Sequence, residues 1–445
     1  MKYSSTRGAA PVTLEDALLS GIAADGGLYV PETLPRFHEG DFDVADTAPD
    51  VAKILLTPFF EGSVLAVELD SILEETFAFP IPATPLPVDK GEAALLELFH
   101  GPTAAFKDVG AGFLSACLSR LTGEATSPLT ILVATSGDTG GAVAAAFNER
   151  PGMRVVVLFP EGRVSERQAH QLTCWGDNIL SLAVAGSFDD CQAIVKSAMA
   201  DRSLGDRYRF SSANSINIGR LLPQCTYYAA TSLRHWRKAG RKPGFIVPTG
   251  NLGNAFACIL ARAMGLPIGE IALATNANRI IADYLAGAEW LPRESIPTLA
   301  SAMDVGNPSN MERLRSLLGN ADSLKRQLRV DTVSDREIER QIKYIHARFG
   351  IAICPHTATA SHVYAKLAAA EREAGDWIIV ATAHPAKFEL TVEPLIGETL
   401  ALPESLRKIQ SRPSRSVSID PDMRSFEKAL HARFHLDEAA QAGDK

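Results

Sequence analysis

Lys107 stands where a cation fits badly. In the run His100-Gly101-Pro102-Thr103-Ala104-Ala105-Phe106-Lys107-Asp108, Gly-Pro ends an apolar strand, Ala93 to Phe99, and the periodic segment from Val109 to Leu121 reads as a helix. Lys107 therefore falls near the first turn of that helix, where unpaired N–H groups and the macrodipole are already positive. Burial among Ala104, Ala105 and Phe106 would lower its pKa further, and a neutral amine is what a Schiff-base nucleophile requires. Taken alone, the stretch fits a solvated surface lysine better, so the other motifs decide.

Two strand-to-helix turns are rich in glycine and small polar residues: Ala134-Thr135-Ser136-Gly137-Asp138-Thr139-Gly140-Gly141 and Pro248-Thr249-Gly250-Asn251-Leu252-Gly253-Asn254. Each presents free N–H groups at the positive end of a helix and could hold one anion; each could equally be a tight βα turn with an ordinary cap. Neither is a P-loop or a dinucleotide fingerprint. In Ser211-Ser212-Ala213-Asn214-Ser215-Ile216-Asn217-Ile218-Gly219-Arg220, Asn or Ser is expected to cap a long helix over 218–238, with Arg220 one turn inside it. That arrangement makes a fork suited to phosphate, or simply a cap beside a surface arginine. Thr382, in Ala381-Thr382-Ala383-His384-Pro385-Ala386-Lys387-Phe388, sits at the carboxyl end of a strand, where open α/β sheets bind ligands. The alternative is a plain loop with His384 and Lys387 solvated. Together, a nucleophilic lysine, a carboxylate pocket, two phosphate sites and a hydroxyl for a ring nitrogen suit pyridoxal phosphate with a phosphorylated amino acid.

These residues need elements to position them. Apolar runs at 129–134, 155–159, 178–183, 245–247, 271–275 and 377–381 alternate with helical patterns at 140–148, 188–200, 218–238 and 255–264, which predicts an α/β fold with mostly parallel sheets. Residues 1–80 read as a separate, partly helical N-terminal domain, opened by the cap Thr13-Leu14-Glu15-Asp16, with further helical patterns at 50–60 and 67–77. The proline-rich passage 80–87 reads as an extended linker. Residues 81–400 form the expected catalytic region, with a smaller α/β domain at about 112–225 placed within it, and 401–445 a helical C-terminal extension. A helical stretch at about 310–370 includes the capping box Ser334-x-x-Glu337.

At 445 residues with 46% hydrophobic and 22% charged residues, the chain has the composition of a globular protein of two or three domains. A net charge of −8 argues against nonspecific nucleic-acid binding. Six scattered cysteines without a C-x-x-C pair read as core thiols of a reducing compartment, and no metal site is expected. No segment approaches the ~18 uninterrupted apolar residues of a membrane span, and the N-terminus lacks a signal-like apolar run. A cytoplasmic protein with a small-molecule substrate, and neither nucleic-acid nor membrane partners, is expected.

The motifs H-G-P-T-x-A-F-K-D, T-S-G-D-T-G, S-A-N-S-I-N-x-x-R, G-N-x-G-N and T-A-H-P-A-K-F, in this order, resemble those of the threonine synthase family, within the tryptophan-synthase-β-like (fold type II) pyridoxal-phosphate enzymes. The likeness extends to Asp25–Pro31 and Ala302–Pro308. It implies two open, mostly parallel sheets flanked by helices, plus a partly helical N-terminal domain. It also implies that Lys107 carries pyridoxal 5'-phosphate as a Schiff base and that Gly250, Asn251, Leu252, Gly253 and Asn254 cradle the cofactor phosphate through backbone N–H groups. Thr382 would bond the ring nitrogen, and Asp138 would lie beside the ring oxygen, where an ionised carboxylate and a phenolate repel unless one carries a proton. The resemblance assigns the substrate carboxylate to Thr135, Ser136, Gly137 and Thr139, and the substrate phosphate to Ser215, Asn217, Arg220 and Lys387. The implied reaction converts O-phospho-L-homoserine and water to L-threonine and phosphate by γ-elimination and β-addition of water. A phospho-lyase or dehydratase on related amino acids, and a catalytically silent binding protein, are the competing readings.

Overall fold

The computed structural model describes residues 1–89, 91–123, 127–135 and 137–443. Two parallel-rich sheets carry the chain. The larger has six strands in the order Arg329–Thr332, Ile271–Thr275, Gly244–Pro248, Asp376–Ala381, Glu92–Glu97 and Ala83–Leu86. Only the last pairs antiparallel, in register Ala83↔Leu96. The smaller is parallel throughout, in the order Val417–Ile419, Ile179–Val184, Met153–Pro160, Leu129–Ala134 and Phe210–Ser212. Its central strands are mostly apolar because helices cover both faces of a parallel sheet; every residue of Met153–Pro160 is buried. Near the N-terminus, Tyr3–Ser5 and Tyr29–Pro31 pair as a two-stranded antiparallel ribbon.

The expected alternation of strands and helices is present, with three differences. The passage 80–87 is not a linker: Ala83–Leu86 is the edge strand of the larger sheet. Pro85 is tolerated there because an edge strand leaves one side of its backbone unpaired. The tail beyond 401 is not only helical: Val417–Ile419 adds a strand to the smaller sheet, and Phe426, Leu430 and Phe434 of the following helix pack into the core beneath it. The helix expected over 218–238 begins only at Gln224, after a single 3-10 turn at Ile218–Arg220. Pro223 supplies the break.

One core cluster joins Leu55, Phe59 and Phe60 of the N-terminal region to Phe113, Leu114 and Cys117 of the Lys107–Thr122 helix, and to Val133 and Val247 of the two sheets. Phe60 meets Phe113 edge-on, ring centroids 5.9 Å apart, and burying such a ring contributes about 1.5–3 kcal/mol. The helix that starts at Lys107 is thereby clamped along its length. All six cysteines are buried and free. Among the described residues no helix is long and apolar enough to cross a membrane, and no His/Cys/Asp/Glu group could hold a metal ion.

Candidate active site

The carboxyl ends of both sheets open on a cavity of about 580 Å³, within the range of small-molecule sites. Lys107 lines it as the first residue of its helix. The loop before it is fixed from two sides. Asp108 accepts the Thr103 N–H at 2.9 Å and the Thr103 hydroxyl, closing the loop on itself. Gly101 makes this possible, since a Cβ there would lie 2.5 Å from Asp108 Oδ2. From the other side, the Phe106 N–H donates to the Thr382 carbonyl at 2.8 Å and the His384 N–H to the Ala104 carbonyl at 3.0 Å. Lys107 and Thr382 are thus held together by main-chain bonds between two loops far apart in sequence. Burial pushes the Lys107 amine down to about 8; Asp138 opposes this, and Lys387 and Arg220 reinforce it.

The Gly250–Asn254 loop enters the Gly253–Ala263 helix with Leu252 in the left-handed region at φ 62°. The first N–H groups of this helix have no helical carbonyl to bond and point where an anion would sit. Asn254 adds a side-chain donor. Its Oδ1 accepts from the hydroxyls of Tyr227 and Tyr228, which leaves Nδ2 buried and unpartnered. Gly250 is required by close approach, because a Cβ there would lie 2.6 Å from Met303 Cα. Gly250→Ala is expected to displace the loop and weaken cofactor affinity at least about tenfold, read by titrating the cofactor absorbance. Unchanged affinity would show that the loop does not carry the cofactor. Free N–H groups, the orphaned amide of Asn254, the Thr382 hydroxyl and a lysine whose amine is easily deprotonated make a set that fits pyridoxal phosphate.

Arg220 is buried, lines the cavity and donates through Nη1 to the Ala213 carbonyl, while its Nε has no partner. Burial lowers its pKa to about 10, against Asp108 and Tyr227, so it keeps its charge. A buried guanidinium with an open donor is a site for an oxyanion. Ser215 lines the same cavity and accepts from Asn251 Nδ2 at 2.7 Å.

Of the residues singled out from sequence, Lys107, Thr135, Asp138, Thr139, Ser215, Arg220, Gly250, Asn251, Leu252, Gly253, Asn254 and Thr382 line the cavity. Ser136 lies outside the described residues. Four expectations need correction. Asn217 does not reach the cavity; its Oδ1 accepts the Gly219 N–H, and its Nδ2 donates to Leu18 O and Ser212 O at 2.9 and 3.1 Å. It caps the short 3-10 turn and ties it to the N-terminal helix. Gly137 contributes backbone shape, at φ 144° with no room for a Cβ beside Gln168. The Thr135 hydroxyl is spent on its own loop, accepting from the N–H groups of Gly137 and Gly140 at 3.0 and 2.9 Å. Lys387, expected near the substrate phosphate, is fully buried, with Nζ 2.7 Å from Asp138 Oδ1 and 2.7 Å from the Thr103 carbonyl.

This last pair answers the charge conflict foreseen at Asp138. Burial would push its carboxyl up, but the ammonium groups of Lys387 and Lys107 outweigh burial and hold it well below the usual carboxylate range. The carboxylate is therefore ionised, with its charge compensated from behind. Gln168 Nε2 also donates to Oδ1, at 3.3 Å.

His356 was not foreseen. It is buried, lines the cavity and accepts the Ala302 N–H on Nε2 at 3.1 Å, so the ring carries its proton on Nδ1. Burial pushes its pKa down to about 4, Asp138 opposing, so the ring is neutral. Pro355 at the start of the Pro355–Lys366 helix was a legible helix signal; nothing local tells that this helix aims at the cavity. Gln192, Lys196 and Met199 of the Phe188–Ala200 helix, and Ile22–Ala24, also line it.

Known proteins are similar to this chain over most of its length. Residues 82–383 match the family "Pyridoxal-phosphate dependent enzyme", residues 2–77 "Threonine synthase N terminus" and residues 357–430 "Threonine synthase, C-terminal". A threonine synthase of Serratia marcescens is 36% identical over 421 residues, covering 94% of this chain and 96% of that protein. The crystal structure of threonine synthase from Escherichia coli superimposes with a TM-score of 0.87 at 35% identity, covering 97% of this chain and 100% of that one. The pyridoxal-phosphate-bound threonine synthase of Brucella melitensis gives 0.88 at 32% identity, covering 97% and 99%. With Lys107, the 250–254 loop and Thr382 lining one cavity, the chain belongs to the threonine synthase family of pyridoxal-phosphate-dependent, fold type II enzymes.

Proposed function

We propose that this protein converts O-phospho-L-homoserine and water to L-threonine and phosphate. The observation that carries the reading is the presence, in one cavity, of an amine lowered to about 8 and a buried guanidinium with an unpartnered Nε. One is a base ready to move protons at carbon; the other is a place for a phosphate. Bound pyridoxal phosphate supplies the electron sink that makes protons on Cα and Cβ of an amino acid removable. It would be held by Lys107, by the backbone N–H groups of 250–254 with Asn254 Nδ2, and by the Thr382 hydroxyl. Lys107, neutral once freed, takes the Cα proton and returns protons to carbon. Arg220 and Ser215 orient the substrate phosphate and stabilise it as it leaves Cγ. The N–H groups of Asp138 and Thr139 and the Thr139 hydroxyl receive the substrate carboxylate, and the family motif implies Ser136 as a further contact. We also propose the division 1–80, 81–400 (with a smaller α/β domain at about 112–225) and 401–445, and a cytoplasmic location, which suits six free thiols.

The test is a product assay on O-phospho-L-homoserine with added cofactor, scoring phosphate, threonine and 2-oxobutyrate together. Equal phosphate and threonine are expected. Phosphate with 2-oxobutyrate instead would make the protein a lyase. Arg220→Ala is expected to raise KM at least about tenfold; an unchanged KM would remove Arg220 from the phosphate site.

A further inference from the structure

Among the described residues Arg313 makes no ion pair with a carboxylate, and the one acidic group that acts on its charge is the adjacent Glu312. Its side chain is fully buried. Among the described residues its bonding partners are a side-chain amide and three carbonyls: Nε to Tyr29 O at 2.9 Å, Nη1 to Asn310 Oδ1 at 2.7 Å and to Ser215 O at 3.2 Å, and Nη2 to Ile216 O at 2.5 Å. The adjacent Glu312 is turned away, bonded to Arg7 and Thr6. A buried cation of this kind is costly unless negative charge stands nearby. Carbonyl dipoles satisfy the donors, and Glu312, though bonded elsewhere, offsets part of the positive charge.

The negative charge has a place to go. Ser215 and Ile216, whose carbonyls Arg313 holds, both line the cavity. Ser215 Oγ accepts from Asn251 Nδ2 at 2.7 Å and from Asn310 Nδ2 at 3.4 Å. With both acceptor positions taken, its own hydrogen is left to donate into the cavity. Asn310 also bonds the Asn251 carbonyl at 3.1 Å, and Asn251 Oδ1 accepts the Ser309 N–H at 2.6 Å. Arg313 thus ties three separate segments, the strand residue Tyr29, the 215–216 loop and the 309–310 turn, around one hydroxyl.

We infer that Arg313 is a positioning residue for a phosphate bound in the cavity: it fixes the 215–216 loop so that Ser215 donates to that phosphate, and its charge adds long-range attraction for the dianion. The inference deepens the proposed function, since the phosphate is that of the substrate or of the released product.

The experiment uses the full-length holoenzyme and inorganic phosphate as probe, its binding read both as competitive inhibition and as a perturbation of the cofactor absorbance. Arg313→Met is expected to weaken phosphate at least about tenfold and to raise the substrate KM by a similar factor. Because Ser215 also stabilises the phosphate as it leaves Cγ, kcat should fall too, by a smaller factor than KM rises. Arg313→Lys, which keeps the charge and loses the fork, should recover a substantial part of the phosphate affinity. Unchanged phosphate affinity in folded Arg313→Met, or a lysine variant no better than methionine, would overturn the inference. If the methionine variant does not fold, the pair Ser215→Ala and Arg313→Lys decides: losses that are less than additive support a shared role, and strictly additive losses overturn it. Because phosphate binding is read without turnover, a failed product assay with intact phosphate effects would sink only the activity reading.

Discussion

Lys107→Ala is expected to lower kcat by at least about 10³-fold, because it removes both the group that carries the cofactor and the base that moves protons at carbon. The loop at 250–254, Asn254 Nδ2 and Thr382 remain, so the variant should still bind pyridoxal phosphate noncovalently, with the absorbance of the free aldehyde. The wild-type amine makes a second measurement possible. It is pushed down to about 8, by burial first, with Lys387 and Arg220 adding to burial and Asp138 opposing. Carbonyl capture needs the neutral amine, so the rate at which cofactor-free protein takes up pyridoxal phosphate should rise with pH and level off above about 8. An ordinary exposed lysine would still be gaining rate up to about 10. A plateau displaced to that higher pH would place Lys107 in solvent and remove the argument for its role.

Lys387→Met should destabilise the fold by about 3–5 kcal/mol at neutral pH, the cost of leaving one partner of a buried pair without the other. Lys387 is fully buried and 2.7 Å from Asp138 Oδ1. The sign follows from Asp138. Its folded pKa lies below the ordinary value, so in the wild type its stabilisation is complete above the unfolded carboxylate pKa of about 3.9 and is lost only as pH falls below that. Without Lys387, burial would raise the Asp138 carboxyl instead, and protonation would relieve the variant as pH falls. The gap between variant and wild type should therefore be widest near about pH 7 and narrow towards about pH 4. Denaturant unfolding at the two pH values measures it, and a gap independent of pH would mean that Asp138 is not the group Lys387 neutralises. The double variant Asp138→Asn with Lys387→Met should recover most of the loss.

Much of this site was legible in the sequence because its signals are local. A Gly-Pro break before an apolar-periodic segment put Lys107 at a helix start, and it is the first residue of Lys107–Thr122. Glycine and asparagine after a strand marked the 250–254 loop, whose shape depends on close approach at Gly250 and a left-handed Leu252. The N-cap at Thr13 and the capping box at Ser334 followed from nearest-neighbour chemistry and stand where they were placed. Short weak signals failed: Ala83–Leu86 and Val417–Ile419 become strands only because a sheet edge is there to pair with.

The sequence by itself determined the α/β alternation, the position of Lys107 at its helix start and the glycine-rich strand-to-helix loops, since each depends on residues within a few positions of one another. Only the tertiary structure decided where the charges go. Lys387 finds the Thr103 carbonyl 284 residues away and turns to Asp138 rather than to the cavity. Arg313 finds Tyr29 at an equal separation of 284, and His356 meets Ala302 at the cavity wall. A buried ionic group is satisfied by whatever partner the packed chain brings within bonding distance. That partner is fixed by how the two sheets and their helices close on the core, which no local pattern encodes.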